Sequence, residues 1–542
     1  MYSTTTYQFK WAWSLTEGHR RGLLFYFILE VFAIASSLMF VIWSKEVVDI
    51  AVRSSSGALK YMITKVILAM LLALICRTFA GWLNERIRLK MGLDLQKRII
   101  DAQMRSVWKQ VKAWHSGDIQ LRIQSDCNEV VQMVGFSAIA SLLTLIRLIA
   151  SFGILWSMDP MLAIMLLAIT PLFLCSKLYF KKMRSLNQWV KTEESNFSKM
   201  LQENLRFRML IRAMDFLNLR QSKLEQSQLE VFKLKNEQLN FVFVSQTVMK
   251  FTIQAGFLLT FIWGVYQLHS EAITFGTMTA FLQLVGRVQA PILTLFGFVP
   301  TFIRFRTSLE RVMELKDVDK EETVVSVPLN PIREIRFLDV WFQYEDRELI
   351  QEFNARVKRG ESLAIVGPSG KGKTTLFRLL LGIVTPDKGT IHLVSDKGIF
   401  KTGAAYRCNY AYVPQGNSLF TGTIRENLGI EKQTPSENNH IKSALWAACA
   451  DFIYELPDGL DTFIGESGYG LSEGQAQRIA IARALIQNTD VWLFDEVTSA
   501  LDEPTSNMLI NRILQVGRDK LCLFITHDLK LSEKCTQTFY MN

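Results

Sequence analysis

The sequence lacks the cysteine patterns that build metal centres or disulfide frameworks. Seven cysteines are scattered over 542 residues, with no C-x-x-C pair and no histidine at metal-ligand spacing. This distribution argues against a zinc module or a secreted disulfide scaffold. We expect reduced thiols that face the cytosol or lie buried in lipid. The cysteines are Cys76, Cys127, Cys175, Cys408, Cys449, Cys522 and Cys535.

Charged residues are few, at 21% of the chain, whereas apolar residues make up 49%. This balance indicates a protein that is partly embedded in a membrane and partly soluble. The net charge of +10 invites a nucleic-acid interpretation, but cytoplasmic loops of membrane proteins also collect Lys and Arg. We therefore expect no nucleic-acid partner. A cleavable signal peptide is not expected either, because the polar start Met1–Arg21 leads into an apolar run long enough to span a bilayer.

Long apolar runs dominate the N-terminal part of the chain. Six of them reach the roughly 20 residues that a helix needs to cross a bilayer. They predict an all-α transmembrane domain over residues 1–316. The six predicted spans are Gly22–Trp43, Tyr61–Leu83, Val134–Trp156, Met161–Phe180, Phe241–Leu268 and Phe275–Ile303.

The loops between these spans alternate in length and charge. The loops after the first, third and fifth spans are short, and the loop after the fifth span carries no Lys or Arg. Those after the second and fourth spans are long and strongly basic. The charge distribution predicts a multi-pass protein of the plasma or inner membrane, with both long loops and both termini in the cytoplasm. Lys45, Arg53 and Lys60 in the first outer loop run mildly against this rule but are outnumbered.

The remaining segments predict cytoplasmic helices, a linker and a second domain. The long basic loops contain few Gly and no Pro, so they favour helices that project roughly 45 Å from the membrane. Residues 317–334 are polar, include Pro328 and Pro331, and indicate a linker. From Ile335 onward, short β-branched runs alternate with helical patterns, which predicts an α/β domain over 335–542.

A glycine-rich stretch after an apolar strand carries the strongest chemical signal. It matches the phosphate-binding motif G-x4-G-K-T, follows the predicted strand Ser362–Val366 and opens a predicted helix, Leu376–Leu381. Its backbone N–H groups can cradle phosphate oxygens. Lys373 should reach the β- and γ-phosphates of a nucleotide, and Thr374 should hold Mg²⁺. The stretch is Gly367-Pro368-Ser369-Gly370-Lys371-Gly372-Lys373-Thr374-Thr375.

A second apolar run, Val491–Phe494, ends in two acidic residues, Asp495 and Glu496. In P-loop enzymes an aspartate at this place completes the Mg²⁺ shell. The following glutamate would sit beside the γ-phosphate, where a carboxylate can polarise the attacking water. The run alone is weak evidence, but its position downstream of the phosphate loop makes it specific.

With these motifs and those that follow, the chain resembles the ABC transporter family from about Gly22 to its C-terminus. Leu471-Ser472-Glu473-Gly474-Gln475 is similar to the family's signature, LSGGQ. Further matches are the Q-loop at Gln415, the D-loop Ser499-Ala500-Leu501-Asp502, the switch histidine His527 and the adenine-stacking aromatic Tyr344.

The resemblance implies a fold and a set of roles. The fold would be a six-helix transmembrane domain of the exporter type, joined to an α/β P-loop NTPase, the ATP-binding cassette. Glu496, His527 and Gln415 would be catalytic, and Gln415 would also join Thr374 and Asp495 at Mg²⁺. Plainer interpretations remain, in which Tyr344 is a core residue, Gln415 a turn residue and His527 a surface residue. The implied ATP-contacting residues are Tyr344, Gly367 to Thr375, Ser472, Gly474, Gln475 and Asp502.

Two further stretches resemble parts of ABC exporters. Gly465-Glu466-Ser467-Gly468 resembles the exporter-specific loop, and His115-Ser116-Gly117-Asp118 with Arg122 resembles the first cytoplasmic coupling region. The chain departs from the family pattern at Glu473, which replaces a signature glycine, and at Lys371, which adds charge to the phosphate loop. Fifteen residues follow His527, so we expect a cassette that lacks a terminal helical extension or a chain that has been shortened.

In this family the signature lies far from the P-loop of its own cassette, so the resemblance implies that two cassettes pack head to tail. One chain carries one cassette, and the working unit would contain two chains. A homodimer with C2 symmetry is the default, and a heterodimer with another half-transporter is the alternative. ATP can drive transport only by binding one conformation better than the other. The closed cassette dimer would favour an outward-facing cavity, and hydrolysis would reset it.

The expected function is ATP-driven export or flipping of an amphipathic substrate such as a lipid, a peptide or a drug-like molecule. An importer built on the exporter fold would carry the same motifs. An ATP-gated channel or sensor is a different class, against which the intact Glu496 argues mildly. A soluble ABC protein that acts on nucleic acid or ribosomes is excluded by six spans.

Four ionisable residues within the predicted spans point to the cargo. Intramembrane charges are costly and usually face a cavity or a partner. Arg147, Lys250, Arg287 and Glu30 each lie in a stripe of polar or small residues at helical spacing. We therefore expect a basic cavity that prefers anionic amphiphiles. In the alternative, Glu30 pairs with one base and the others extend to the membrane interface.

Overall fold

The structure, a computed structural model, describes residues 5–52, 56–111, 114, 116–169, 176–321, 324–344, 347–430, 437–465 and 470–541. The chain divides into two compact units. The first comprises Met1–Met104 and Trp114–Val318, and the second comprises Arg105–Ala113 and Asp319–Asn542. The segment predicted as a linker is thus counted with the second unit from Asp319 onward.

Helices make up the first unit and part of the second. Two π-helical turns, Arg122–Asp126 and Met133–Ser137, flank α6. In chain order the α-helices are α1 Thr5–Ser14, α2 Arg20–Val52, α3 Ser56–Met104, α4 Trp108–Val111, α5 Ser116–Leu121, α6 Cys127–Gln132, α7 Ala138–Met158, α8 Pro160–Ile169, α9 Ser176–Arg206, α10 Arg208–Ala213, α11 Leu217–His269, α12 Phe275–Lys316, α13 Lys373–Leu380, α14 Ile424–Leu428, α15 Glu437–Ala447, α16 Glu473–Ile486, α17 Glu503–Val516 and α18 Leu529–Lys534.

All strands of the described residues lie in the second unit. They run β1 Ile332–Tyr344, β2 Arg347–Lys358, β3 Ser362–Val366, β4 Lys388–Ser395, β5 Gly398–Lys401, β6 Tyr410–Val413, β7 Gly422–Thr423, β8 Phe463–Ile464, β9 Val491–Asp495, β10 Leu521–Thr526 and β11 Gln537–Tyr540.

Four helical segments of the described residues are long and apolar enough to cross a membrane. The fourth predicted span continues from α8 into residues that the structure does not describe, so it is not tested. The sixth predicted span lies in α12 but is not among the four, and Gln283 and Arg287 lower its hydropathy. The predicted count of six spans therefore stays a prediction. The four segments are Arg20–Val52, Leu59–Met104, Gly117–Met158 and Leu217–His269.

An ion-pair network ties the start of the third long helical segment to the end of α12. The Arg122 guanidinium lies 2.8 Å from Asp118 and 2.7 Å from Glu314. Arg311 reaches the same Asp118 at 3.1 Å and the buried Asp126 at 3.2 Å. Charged groups shared among several partners hold α5, the π-helical turn Arg122–Asp126 and α12 of the first unit together.

A parallel sheet forms the centre of the second unit, in the order β11-β3-β10-β9-β6. Every residue of β3, β9 and β10 is buried, as expected for parallel strands covered on both faces. An antiparallel sheet, β2-β1-β4-β5, packs its apolar side into the same core. Because neighbouring strands of the parallel sheet run in one direction, their carboxyl ends meet along one edge.

Candidate nucleotide site and transmembrane cavity

The carboxyl ends of β3, β9 and β10 bring three predicted motifs together. Thr526 pairs with Val366, and Ile525 pairs with Asp495. Consequently, the residues that follow these strands, Gly367, Glu496 and His527, leave the sheet side by side. Ligands of open parallel sheets bind at this edge, so strand order alone assembles the site from distant parts of the sequence.

The phosphate loop connects β3 to α13 and turns through two glycines. Gly370 and Gly372 have φ of 80° and 95°, a region that side-chain-bearing residues rarely adopt. The buried Lys373 begins α13 and donates from its amino group to the carbonyl oxygens of Gly367 at 2.6 Å and Pro368 at 3.0 Å. Burial lowers the pKa of Lys373, an effect opposed by nearby carboxylates.

Glu496 stands at the centre of a side-chain cluster. Its carboxylate accepts from Gln415 Nε2 at 2.5 Å and lies 2.8 Å from His527 Nε2. The same His527 nitrogen is 3.2 Å from Lys373 Nζ. Four side chains that the sequence predicted as site residues therefore form one connected cluster.

The backbone of Glu496 is held in a left-handed conformation with φ of 51°, which is costly for a residue with a side chain. Its carbonyl oxygen accepts hydrogen bonds from Gln477 Nε2 at 3.0 Å and Ser499 Oγ at 2.9 Å. These two residues hold the Glu496 backbone, from which the side chain projects. The sequence does not reveal the contact between Gln477 and Glu496, because nothing local links the two positions.

Asp495 is buried, and neither of its carboxylate oxygens has a hydrogen-bond partner. Burial raises its pKa, while the nearby Thr374 hydroxyl acts in the opposite direction. Orphaned carboxylate oxygens beside a hydroxyl suit a hard cation such as Mg²⁺, which takes one or two protein oxygens and completes its shell with phosphates and water. Among the described residues, no group of three His, Cys, Asp or Glu could hold a metal alone. The donor set therefore fits a cation that arrives with a phosphate ligand.

The signature residues form the start of α16. Ser472 caps this helix, and its side chain and that of Gln475 bond reciprocally to the two backbone N–H groups. A side chain at Gly474 would approach Ala500 O to 2.8 Å, so only glycine allows α16 to pack this closely on the D-loop. Glu473 is exposed in the first turn.

The two remaining predicted contacts lie at the ends of elements. Asp502 caps α17 by accepting from Thr505 N at 3.2 Å. Hydrogen bonds from the Thr505 side chain and backbone lower the pKa of Asp502. Tyr344 ends β1 and packs edge-on against Phe342 at 4.8 Å between ring centroids. Glu466, Ser467, Gly468 and His115, from the two exporter-like stretches, lie outside the described residues.

Gly367 provides a stability test of the phosphate loop. A Cβ atom there would lie 2.3 Å from the Met541 carbonyl oxygen. We expect Gly367→Ala to destabilise the cassette by about 1–3 kcal/mol through overpacking, seen as a lower thermal midpoint of the purified chain. Gly403→Ala is the matched control, since Gly403 is extended and a Cβ atom at this position would have no other atom within 4 Å. Equal midpoints for the two variants would contradict the packing described.

The first unit contains a cavity of about 490 Å³ lined by three arginines. Arg147 and Arg287 were predicted to face a cavity, and both line this one. Arg77 of α3 also lines it and was missed, although an arginine inside the predicted span Tyr61–Leu83 is itself the signal. Lys250 and Glu30 are not among the lining residues, so the prediction for them does not hold at this cavity.

The cavity arginines are not neutralised by carboxylates within the cavity. Its described lining contains no Asp or Glu. Arg287 donates to the Ser37 carbonyl oxygen at 2.6 Å and also to the Ser37 hydroxyl. Glu30 is close enough to Arg147 to interact with its charge, although no ion pair between Glu30 and Arg or Lys is found among the described residues. The cavity thus presents positive charge and hydrogen-bond donors among apolar side chains.

Comparison with known proteins places both units in one family. The family model described as "ABC transporter" matches residues 350–499. The family model described as "ABC transporter transmembrane region" matches residues 23–292. Each model falls on the unit in which the corresponding motifs were found.

Curated relatives match along most of the chain. An ATP-dependent lipid A-core flippase of Syntrophus aciditrophicus is 28% identical over 92% of this chain and 83% of its own length. The flippase of that name from Desulfotalea psychrophila is 30% identical over 76% of this chain and 73% of its own length. The leukotoxin export ATP-binding protein LtxB of Aggregatibacter actinomycetemcomitans is 25% identical over 95% of this chain and 73% of its own length.

The fold is shared with a solved exporter structure. A bacterial Atm1-family ABC exporter with ATP bound superposes with a TM-score of 0.81, covering 96% of this chain and 94% of the exporter. At 21% identity, this likeness shows the architecture alone.

Proposed function

Because the chain belongs to the ABC transporter family, as a half-transporter of the exporter type, we propose that it exports or flips an amphipathic lipid with an anionic head group. ATP-driven transport of amphipathic substrates follows from the family and the relatives. The lipid class and the charge of its head group are the proposal. The observation that carries it is the cavity lined by Arg77, Arg147 and Arg287.

Three arginines in one apolar cavity raise the free energy of the folded protein unless their charge is compensated. A charged side chain within the bilayer costs several kcal/mol and normally marks a functional pathway. Guanidinium groups bind phosphate and carboxylate in a bidentate manner, with fixed geometry. An anionic head group would supply the missing counter-charge, while its acyl chains would contact the apolar part of the lining. Relatives named as lipid A-core flippases support a lipid of this kind.

The cavity arginines give a test by substitution. Arg147→Ala and Arg287→Ala should each reduce the stimulation of ATPase activity by lipid A, a phosphorylated glycolipid. We expect the apparent affinity for this lipid to fall by about 10-fold or more, because a charge-assisted hydrogen bond contributes about 1.5–3 kcal/mol. The measurement is ATPase activity in nanodiscs titrated with lipid A.

Lys250→Ala is the matched control, since Lys250 is exposed on α11 and does not line the cavity. It should respond to lipid A as the unmodified protein does. Stimulation by a neutral amphiphile should be unchanged in all three variants. If both arginine variants respond to anionic and neutral amphiphiles like the unmodified protein, the basic-cavity proposal is wrong.

ATP would bind at the edge formed by β3, β9 and β10. Backbone N–H groups of residues 367–375 would cradle the phosphates at the positive end of α13, and Lys373 would contact the β- and γ-phosphates. Thr374, Asp495 and Gln415 would hold Mg²⁺, which neutralises charge on the phosphates. Glu496 would accept a proton from the attacking water, and His527 would hold Glu496 in position.

The working unit would be a dimer, with a homodimer as the simplest form. Ser472 caps the exposed first turn of α16, and the positive end of this helix suits the γ-phosphate of the partner's nucleotide. Each ATP would thus lie between Lys373 of one chain and Ser472 of its partner. The basic loops favour a multi-pass protein of the plasma or inner membrane with both termini in the cytoplasm.

Mixed dimers test this arrangement. Chains with Ser472→Arg and chains with Lys373→Ala should each be inactive alone, because both composite sites are damaged in each homodimer. The mixed dimer should regain one intact site and occlude one nucleotide per dimer when purified through two different tags. ATPase activity and nucleotide occlusion no higher than in either parent would contradict the shared site. An obligate heterodimer would instead show no activity for the unmodified chain alone.

A further inference from the structure

Two short segments of the second unit pair as antiparallel strands, and we call this pairing the clasp. They are Arg105–Val107 and Asp319–Glu321, with Ser106 opposite Lys320. Glu321 N donates to Arg105 O at 2.7 Å, and Val107 N donates to Asp319 O at 2.9 Å. Each clasp strand follows a long helix of the first unit. Arg105 comes immediately after the end of α3 at Met104, and Asp319 comes three residues after the end of α12 at Lys316.

Side chains reinforce the clasp. Gln110 Nε2 donates to the Asp319 carboxylate at 2.5 Å, and Asp319 N donates back to Gln110 Oε1 at 3.0 Å. A reciprocal pair of this kind fixes both distance and orientation. The clasp is therefore more specific than two backbone bonds alone would make it.

Arg407 connects the clasp to the helix that follows the phosphate loop. Its guanidinium binds the Glu321 carboxylate in a bidentate manner, at 2.6 and 2.9 Å. It also donates to the carbonyl oxygens of Leu381 at 2.9 Å and Gly382 at 2.8 Å. Leu381 is the C-cap of α13, so one side chain binds both the clasp and the end of this helix.

A second contact joins the clasp segment to α13. The Arg378 guanidinium, on α13, lies 5.9 Å from the ring centroid of Trp108. Trp108 opens α4, directly after the clasp strand Arg105–Val107. The clasp thus meets the phosphate-loop helix through two arginines, Arg407 and Arg378.

We propose that the clasp, fastened by the Glu321–Arg407 pair, is a permanent joint that transmits nucleotide-dependent movement of α13 to the chain segments ending in α3 and α12. The inference rests on the proposed ATP-closed dimer. The first clasp strand lies in the long basic loop after the second predicted span, and the second lies in the segment predicted as a linker. Glu321 and Arg407 are positioning residues, since they act through α13 and not on ATP.

The test places a spin label at one position of the full chain and measures the distance between the two labelled copies of the dimer, in a Glu496→Gln, Cys408→Ser background. One labelled position is Met508 of α17, which is 47% exposed. The other is Ser157 in a predicted outer loop, which is exposed. In this background, ATP should change both distances. With Glu321→Ala added, the change at Met508 should persist, and the change at Ser157 should be lost.

Asp396→Ala is the matched control. Asp396 forms a bidentate pair with Arg333 at 2.9 and 3.0 Å on the same unit, without a link to α13. This variant should retain both changes. If the distance at Ser157 still changes with ATP in Glu321→Ala, the proposed role of the joint is wrong. If the Met508 distance never responds to ATP, the proposed dimer fails, and this inference falls with it.

A cross-link keeps the proposal testable if Glu321→Ala does not fold. Ser106 and Lys320 form a non-hydrogen-bonded antiparallel pair, whose Cα atoms come close enough for a disulfide. Ser106→Cys with Lys320→Cys, in a Cys408→Ser background that keeps Glu496, should retain ATPase activity after oxidation, because a permanent joint loses nothing when locked. Loss of activity on oxidation that a reductant restores would show that the strands must separate, which contradicts the proposal.

Discussion

Replacing Glu496 by Gln should leave ATP binding intact and reduce hydrolysis by about 10²–10⁴-fold, the contribution expected of a general base. The amide keeps the size of the side chain and can still bond to Gln415 and His527, which contact the native carboxylate at 2.5 and 2.8 Å. It cannot accept a proton from water. The bound ATP should therefore persist and trap the closed dimer. The measurements are ATPase rate and retained nucleotide in the purified variant.

Glu503→Gln is the control for the loss of a carboxylate. Glu503 lies in the first turn of α17, is exposed and pairs with Lys530. Its replacement should change the ATPase rate little, because exposed ion pairs contribute little. Hydrolysis by purified Glu496→Gln at the unmodified rate would show that the assigned role is wrong.

Lys373→Ala should weaken ATP binding by about 10–100-fold or more, because it removes a charge-assisted contact to the phosphates. The native amino group is buried beside the loop carbonyl oxygens and 3.2 Å from His527 Nε2. The Lys373 amino group is thus held where its positive charge can contact the phosphates of the nucleotide. Equilibrium binding of a fluorescent ATP analogue to the full-length variant measures the effect.

Lys371→Ala provides the comparison within the same loop. The Lys371 side chain is exposed, so its removal should weaken binding much less than removal of Lys373. Equal losses for the two lysines would indicate that general positive charge, and not the position of Lys373, attracts the nucleotide.

Contiguous motifs made the cassette predictable from sequence. The predicted strand Ser362–Val366 is β3 with the same bounds, since a mostly apolar run before a glycine-rich turn leaves few alternatives. The assignment to an ABC half-transporter of the exporter type is confirmed by the family models and relatives. The domain boundary was harder to predict, because Asp319–Glu321 joins the second unit through contacts with residues 105–107.

Contacts across the sheet could not be predicted from sequence. Gln477 holds the Glu496 carbonyl oxygen at 3.0 Å, and this pairing depends on how α16 packs against β9. The cavity was half predictable, since polar stripes identified Arg147 and Arg287 but also suggested Lys250, which does not line it. A stripe shows that a helix face is polar, but only the packing of helices decides what that face meets.

Transport into sealed vesicles tests the central claim most directly. Proteoliposomes that contain the chain in both orientations and a fluorescent phosphorylated lipid should move the lipid from the cassette-side leaflet to the opposite one when ATP is added outside. Movement should scale with simultaneously measured hydrolysis and vanish in Glu496→Gln. Movement toward the cassette side would instead indicate an importer, and ATP-dependent ion leakage without lipid movement would indicate a channel. Either result, or hydrolysis at full rate with no lipid movement, would contradict the account.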